Sequence, residues 1–213
     1  MSGYLADVTA LARKDLLVEL RSRDTVPAML LFVVGALVVF HFALPDDSSR
    51  LAAAGMLWIA LLFTALLALV RSFVAEREGA VIDGLLLAPC DRSAIWLGKT
   101  LSVVAFLIFA EAVALPAFAL FYEPVSWELL AAVALADIGI ASVGTLLGAM
   151  AAAARARELL LPLLFLPLAI PLIVGGVGAT LAEDPARYLG FLALYDLIFA
   201  ILSWASFEYV VTE

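Results

Sequence analysis

Three acidic residues, Glu111, Asp137 and Asp196, fall inside stretches of chain that are otherwise almost entirely apolar. On insertion scales a charged carboxylate at the centre of a bilayer costs about 2.5–3.5 kcal/mol. Each of the three is therefore expected to face a neighbouring helix or a wet cavity rather than lipid. Carboxyls so placed serve one of two ends. They line a path for protons or ions, or they pack locally against Ser, Thr or backbone groups of an adjacent helix. Residue type alone leaves both open. The other ligating groups are one imidazole, His41, and one thiol, Cys90. A single cysteine forbids an internal disulfide, and one cysteine with one histidine cannot build a Cys/His zinc site. His41 lies near the edge of an apolar stretch, where a lone imidazole is expected to be a polar tip at the interface. No metal and no bound cofactor are expected on this chain.

Two short motifs fail on their context. Gly98-Lys99-Thr100 matches the end of a phosphate-binding loop, but the position five residues before Gly98 is Ser93 and not glycine. That loop also needs a strand before it and a helix start whose backbone N–H groups cradle phosphate, whereas an apolar run follows here. Any ATP is therefore expected on another subunit. Ala141-Ser142-Val143-Gly144 resembles a serine-nucleophile turn, but Ile140 stands where that pattern needs glycine. Its base would have to be His41, which belongs to a different apolar stretch. No catalytic residue is assigned.

The elements that position these groups follow from composition. Of 213 residues, 66% are hydrophobic and 15% charged, against about 25% charged in a typical soluble domain. The chain is read as a membrane protein. A helix crossing the bilayer needs about 20 mostly apolar residues, and six stretches qualify: 26–44, 51–73, 99–122, 127–154, 159–181 and 188–211. The first is too long for a signal peptide, follows a polar leader, and lacks a small-residue cleavage pattern. The connections alternate. "PDDSSR", "EPVSWE" and "AEDPAR" are short and acidic, while the other side holds a long charged loop and "RARE". Ten of the twelve Lys and Arg residues fall on the N-terminus and the second and fourth loops; only Arg50 and Arg187 fall on the others. The positive-inside rule then puts both termini in the cytoplasm. The expected fold class is an all-α membrane protein, one transmembrane domain over residues 1–213. In the leader, residues 1–25, Leu5, Val8, Ala12, Leu16 and Leu20 share one helical face, and Asp7, Lys14 and Arg21 lie opposite. That predicts an amphipathic helix in the cytoplasmic interface. Gly144-x-x-x-Gly148 predicts close helix packing in the fourth span. Pro162, Pro167, Pro171 and the glycines of "GGVG" (residues 175–178) predict a kinked fifth span with an irregular outer end.

One segment breaks the apolar pattern. Residues 74–98, the long second loop, begin with Glu76, Arg77 and Glu78 and continue through Asp83 and Gly84 into Leu85, Leu86 and Leu87 before Pro89. A leucine cluster too short to span should not stand in water, so it is either embedded at the membrane surface or buried in a partner. Apolar anchors flanked by charge suit a docking helix, with contact area for affinity and charge for register. Pro89 stops that helix before the chain returns to the membrane.

Acids, a glycine, leucines, a proline and then Gly-Lys at the next span resemble the coupling segment of six-span ABC-exporter permeases. More specifically, the chain resembles the CcmB family, the haem-exporter B subunits of cytochrome c maturation. The likeness covers "KDLLVELRSRD", "GMLWIALLFTALLALVRSF", "DGLLLAPCDRSAIWLGK" and "LLPLLFLPLAIPLIV". It implies an all-α permease that pairs with a CcmA-like ATPase and with CcmC-like and CcmD-like membrane subunits. ATP hydrolysis would be linked to release of a haem-loaded CcmE-like chaperone. Glu76, Arg77, Glu78, Asp83, Gly84, Leu85, Leu86 and Pro89 would form the ATPase contact. It further implies a homodimer within the complex, haem handled by the assembly, and no nucleic-acid partner. The chain has no Trp-Trp-Asp run and no C-x-x-C-H, which fits the B role and not the haem-handling or acceptor roles. Two alternatives are weighed against it. One is an ABC permease exporting a lipid or another hydrophobic substrate; the other is a proton-coupled carrier using Glu111, Asp137 and Asp196. Carriers often break helices in matching positions of two repeats, and the proline cluster of the fifth span has no counterpart in the second.

Overall fold

A computed structural model describes residues 2–22, 25–44, 50–78, 90–153 and 157–212. Seven helices account for nearly all of them: α1 (Ser2–Ser22), α2 (Thr25–Ala43), α3 (Arg50–Glu78), α4 (Arg92–Phe121), α5 (Trp127–Ala153), α6 (Arg157–Leu181) and α7 (Ala186–Thr212). Helices α2 to α7 are each long and apolar enough to cross a membrane. The apolar runs therefore become the helices expected, with two displaced boundaries. Helix α3 carries on through Glu76, Arg77 and Glu78. Helix α4 begins at Arg92 rather than Lys99, because the Asp91 carboxylate accepts the Ser93 amide at 2.9 Å and caps the helix there.

Helices α2 to α7 alternate in direction, as the contacts near their ends show, so two ends can be told apart. One carries α1 and the starts of α2, α4 and α6; the other carries the starts of α3, α5 and α7. At the second end the turns are tied down locally. The Tyr122 amide donates to the Phe118 carbonyl, and the Ser126 hydroxyl accepts the Leu129 amide at the start of α5. Tyr122 also donates its hydroxyl to the Leu37 carbonyl of α2 at 2.8 Å.

Helix α5 is the centre. It packs against α3, α4, α6 and α7, and its span is the most buried of the six. Two of its glycines explain how. A Cβ on Gly139 would stand 2.5 Å from Asp196 Oδ1 of α7, and one on Gly144 would stand 2.5 Å from the Leu69 side chain of α3. Small residues let neighbouring helices close on the backbone. The expected close contact at Gly144 is thus made to α3.

The fifth span differs from expectation. Helix α6 contains Pro162, Pro167 and Pro171 yet stays helical through Gly175, Gly176 and Gly178 to Leu181. These glycines are seats for large side chains. A Cβ on Gly175 would meet Leu192, one on Gly176 the Trp58 indole, and one on Gly178 the Tyr188 ring. Packing keeps the segment helical against its intrinsic propensity. Trp58 is nearly fully buried there, 3.4 Å from the Thr180 hydroxyl.

The leader also differs in detail. Leu5, Leu17 and Val18 are exposed, whereas Val8 is buried and Leu11 and Ala12 meet Gly98 of α4. Val8, Ala12 and Leu16 of the expected face pack on protein, and Tyr4, Leu11 and Asp15 beside them join the contact, because α1 docks on α4 rather than lying on lipid alone.

Gly176 provides a test. On helix propensity alone, Gly→Ala should stabilise by about 1 kcal/mol, but overpacking a filled contact costs about 1–3 kcal/mol. Gly176→Ala is expected to lower the melting temperature in detergent, and Trp58→Leu in the same chain to recover part of the loss. Gly35, which has open space around its Cβ position, should tolerate the same change without loss.

Candidate functional site

Two places hold the residues singled out from the sequence. The first is the α1 end of α4, where the chain returns from the long second loop. Glu76, Arg77 and Glu78 form the end of α3. Asp83, Gly84, Leu85, Leu86 and Pro89 lie outside the described residues. Immediately after them Asp91 starts α4. Its carboxylate accepts the amide and, at 2.8 Å, the hydroxyl of Ser93. These two bonds hold the carboxyl below its ordinary value of 3.8, because both favour the charged form.

Helix α1 is fastened across this start. Ser93 Oγ lies 3.2 Å from the Tyr4 hydroxyl. A Cβ on Gly98 would stand 2.8 Å from Leu11 Cβ and 3.1 Å from the Val8 carbonyl oxygen, so the two backbones touch at that glycine. Next to it, Lys99 is 4% exposed, and its ammonium lies 3.8 Å from Asp15 Oδ2. The other oxygen of Asp15 pairs with Lys14 at 2.9 Å. One carboxylate thus joins a basic group of α1 to a buried basic group of α4. Ile95, Trp96 and Phe207 form a separate apolar cluster at this end, packed by Leu11 and Cys90, and it joins α1, α4 and α7. Arg92 reaches Glu208 of α7 at 3.2 Å, but both side chains are well exposed, and such a pair contributes about 0–1 kcal/mol.

The second place is inside the bundle. Glu111, Asp137 and Asp196 each stand ten residues from the second end of their helices, at Phe121, Trp127 and Ala186. At 1.5 Å per residue that is about 15 Å, half the hydrocarbon thickness. All three therefore share one depth, but they do not form one site. Glu111 and Asp137 bring their carboxyls within hydrogen-bonding reach between α4 and α5. Asp196 touches Gly139, two residues along α5 from Asp137 and so about 200° around that helix. Its two carboxyl oxygens are buried with no partner among the described residues. Behind the Glu111–Asp137 pair is a cavity of about 20 Å³ bounded by Trp58, Leu62, Leu107 and Leu172, about the size of one water molecule.

His41 sits at the second end among rings, 5.1 Å from Phe121 and 5.7 Å from Tyr122 between ring centres. Among the described residues no three His, Cys, Asp or Glu side chains converge as metal ligands. Ser142 and Thr145 of α5 are buried. Thr145 meets Thr100 of α4 at 3.4 Å between hydroxyl oxygens, which accounts for the threonine of Gly98-Lys99-Thr100 as a helix-packing contact.

The family profile described as CcmB protein matches residues 6–207. The chain belongs to the CcmB family. Curated relatives include heme exporter protein B of Bradyrhizobium diazoefficiens, 30% identical across 82% of this chain and 81% of that one. Heme exporter protein B of Paracoccus denitrificans is 28% identical across 93% of this chain and 94% of its own. This CcmB-family chain is a multi-pass membrane protein, and the match spans α1 as well as all six membrane-length helices.

Sequence reasoning missed two residues of the first place. Asp91 followed by a helix is a legible cap signal, obscured here by assigning the helix start from hydropathy. The inward turn of Asp15 had no such signal, since it depends on where α4 lies.

The cap makes a testable contribution. Asp91→Ala should lower stability by about 1 kcal/mol at neutral pH, and Asp91→Ser should retain most of it. Because the folded carboxyl titrates below its ordinary value, its stabilisation is complete above about pH 4 and fades as pH falls through the lower folded value. Thermal unfolding of wild type and Asp91→Ala in detergent should therefore differ at pH 7 and converge in strong acid.

Proposed function

We propose that this chain is the membrane permease subunit of an ABC-type haem export system serving cytochrome c maturation, and that it couples ATP hydrolysis on a CcmA-like subunit to release of a haem-loaded CcmE-like chaperone. The observation that carries this reading is the CcmB match over residues 6–207 on a chain with six membrane-length helices. The names of the two relatives, heme exporter protein B, support the haem-export role. CcmC-like and CcmD-like membrane subunits and a second copy of the chain complete the proposed assembly. This subunit itself performs no covalent chemistry in it.

The mechanism is mechanical. The segment between α3 and α4 docks in the ATPase, with Leu85 and Leu86 as apolar anchors and Glu76, Arg77, Glu78 and Asp83 setting register. In this reading Gly84 belongs to the same contact, and Pro89 stops the docking helix before the chain returns to α4. Closure of the ATPase pair displaces this segment. The displacement reaches α4 at Asp91, and the Gly98 contact with the Asp15–Lys99 pair makes α1 move with it. Helices then tilt as semi-rigid bodies, because packed contacts are bistable rather than continuously deformable. The α1 end faces the cytoplasm in this reading, since ten of twelve basic residues belong to it.

Two outcomes are expected. Leu85→Asp with Leu86→Asp should abolish co-purification of the ATPase, since it puts charge into a desolvated groove, while Glu78→Lys should allow assembly but separate ATP turnover from holocytochrome yield. Full retention of the ATPase by the double aspartate variant would remove the segment from the docking role. For orientation, cysteines at Ser48 and Ala186 in a Cys90→Ser chain should react with an impermeant thiol reagent outside intact cells. Labelling of Ser93→Cys under the same conditions would reverse the assignment.

A further inference from the structure

The Glu111–Asp137 pair also forms the floor of a groove that opens between α4 and α5 onto the lipid-facing side of the bundle. The groove encloses about 620 Å³ and runs from Val104 to Pro116 along α4, about 18 Å at 1.5 Å per residue. Its walls are apolar, and Ile108, Leu130 and Ile138 on its rim are about half exposed. Every polar group it offers is an acceptor or an acid. Asp137 is only 3% exposed. Among the described residues no basic side chain, amide or hydroxyl lines the groove. The backbone adds to this character independently. Pro116 lies inside α4 and has no N–H for the carbonyl of Ala112 one turn before it, and both residues line the groove.

The occupant that best complements this lining is apolar along its length and presents a donor about 15 Å from the membrane surface. An amphiphile anchored by its head group puts its tail at that depth, with its polar end in the wrong place. A second copy of this chain does not fit. Its basic residues lie in the leader, in the loops or toward the ends of helices, and symmetric pairing would set carboxyls against carboxyls. A helix from a different subunit meets the requirement, because its backbone is satisfied internally and one side chain can carry the donor at mid-depth.

We propose that the α4–α5 groove seats a transmembrane helix of a different subunit, which brings a lysine or arginine to Glu111 and Asp137 at mid-membrane. This rests on reading the chain as one subunit of a multi-subunit exporter. Neither the acidic pair nor the basic residue is well placed in lipid alone. The contact thus makes each subunit's polar group depend on the other's presence, and it selects one helix among several apolar ones.

The test uses membranes from cells producing the whole complex. A benzophenone maleimide is attached to single cysteines replacing Ile108 or Ala134 in a Cys90→Ser chain, with Ile170→Cys on α6 as the comparison position. Illumination from the groove positions should give an adduct with one other subunit, mapping by mass spectrometry to a membrane helix within a turn of a lysine or arginine. Glu111→Gln with Asp137→Asn should reduce that adduct at least about tenfold. Asp137→Lys, combined with an acid at the identified basic position, should restore it. Adducts with lipid alone or with a second copy alone, in preparations where other subunits still co-purify, would overturn the proposal and leave the exporter reading standing. So would an adduct yield unchanged by the double neutral variant. Absence of any co-purifying subunit would overturn both.

Discussion

Lipid offers no hydrogen bonds, so every polar group within this bundle has to be met by another part of protein or carried at a cost. Much of the architecture can be derived from that condition. Thr64 donates back to the Ala60 carbonyl, Tyr195 to the Leu168 carbonyl of α6, and Tyr122 to the Leu37 carbonyl of α2. The polar groups that this rule leaves conspicuous are carboxyls at one depth. Glu111 and Asp137 have each other, while Asp196 is pressed onto the backbone of α5 at Gly139. All three contact α5 or belong to it, and that is the helix with the least lipid exposure.

What holds the helices together is contact rather than expulsion of water, since lipid tails are as apolar as the side chains they would replace. Close approach then matters more than hydrophobicity, and the glycines show where it occurs. Leu69 on Gly144, Trp58 at Gly176, Leu192 at Gly175 and Tyr188 at Gly178 each place a large side chain directly on a helix backbone. Helix α6 illustrates the balance. Three prolines and three glycines should weaken it, yet α3 and α7 fill the surface that the glycines expose, and the helix continues to Leu181.

The two ends of the bundle are built differently. At the second end the two described connections, 122–126 and 182–185, are short and flanked by backbone bonds at Tyr122, Ala182 and Tyr188. At the α1 end, α1 crosses the start of α4 with backbone contact at Gly98 and an ion pair whose lysine is almost fully buried.

The six spans, the class of the fold and the likeness to CcmB were legible in the sequence. Runs of apolar residues of membrane length have one stable conformation in lipid, and the charges between them mark the loops. Glu111, Asp137 and Asp196 were legible as anomalies for the same reason. Their grouping was not. Which two acids meet depends on the rotation of α4 and α7 around α5, and a local pattern carries no information about rotation between helices. The face of α1 was legible only in part: Val8, Ala12 and Leu16 pack on protein as expected, while Leu5 stays exposed. Apolar residues mark a face, but Asp15 turns inward only because Lys99 of α4 lies there. The "GGVG" segment was read as irregular because glycine weakens a helix in isolation. It is helical because Trp58, Leu192 and Tyr188 occupy the space that the missing side chains leave, and only tertiary packing brings those three residues to it.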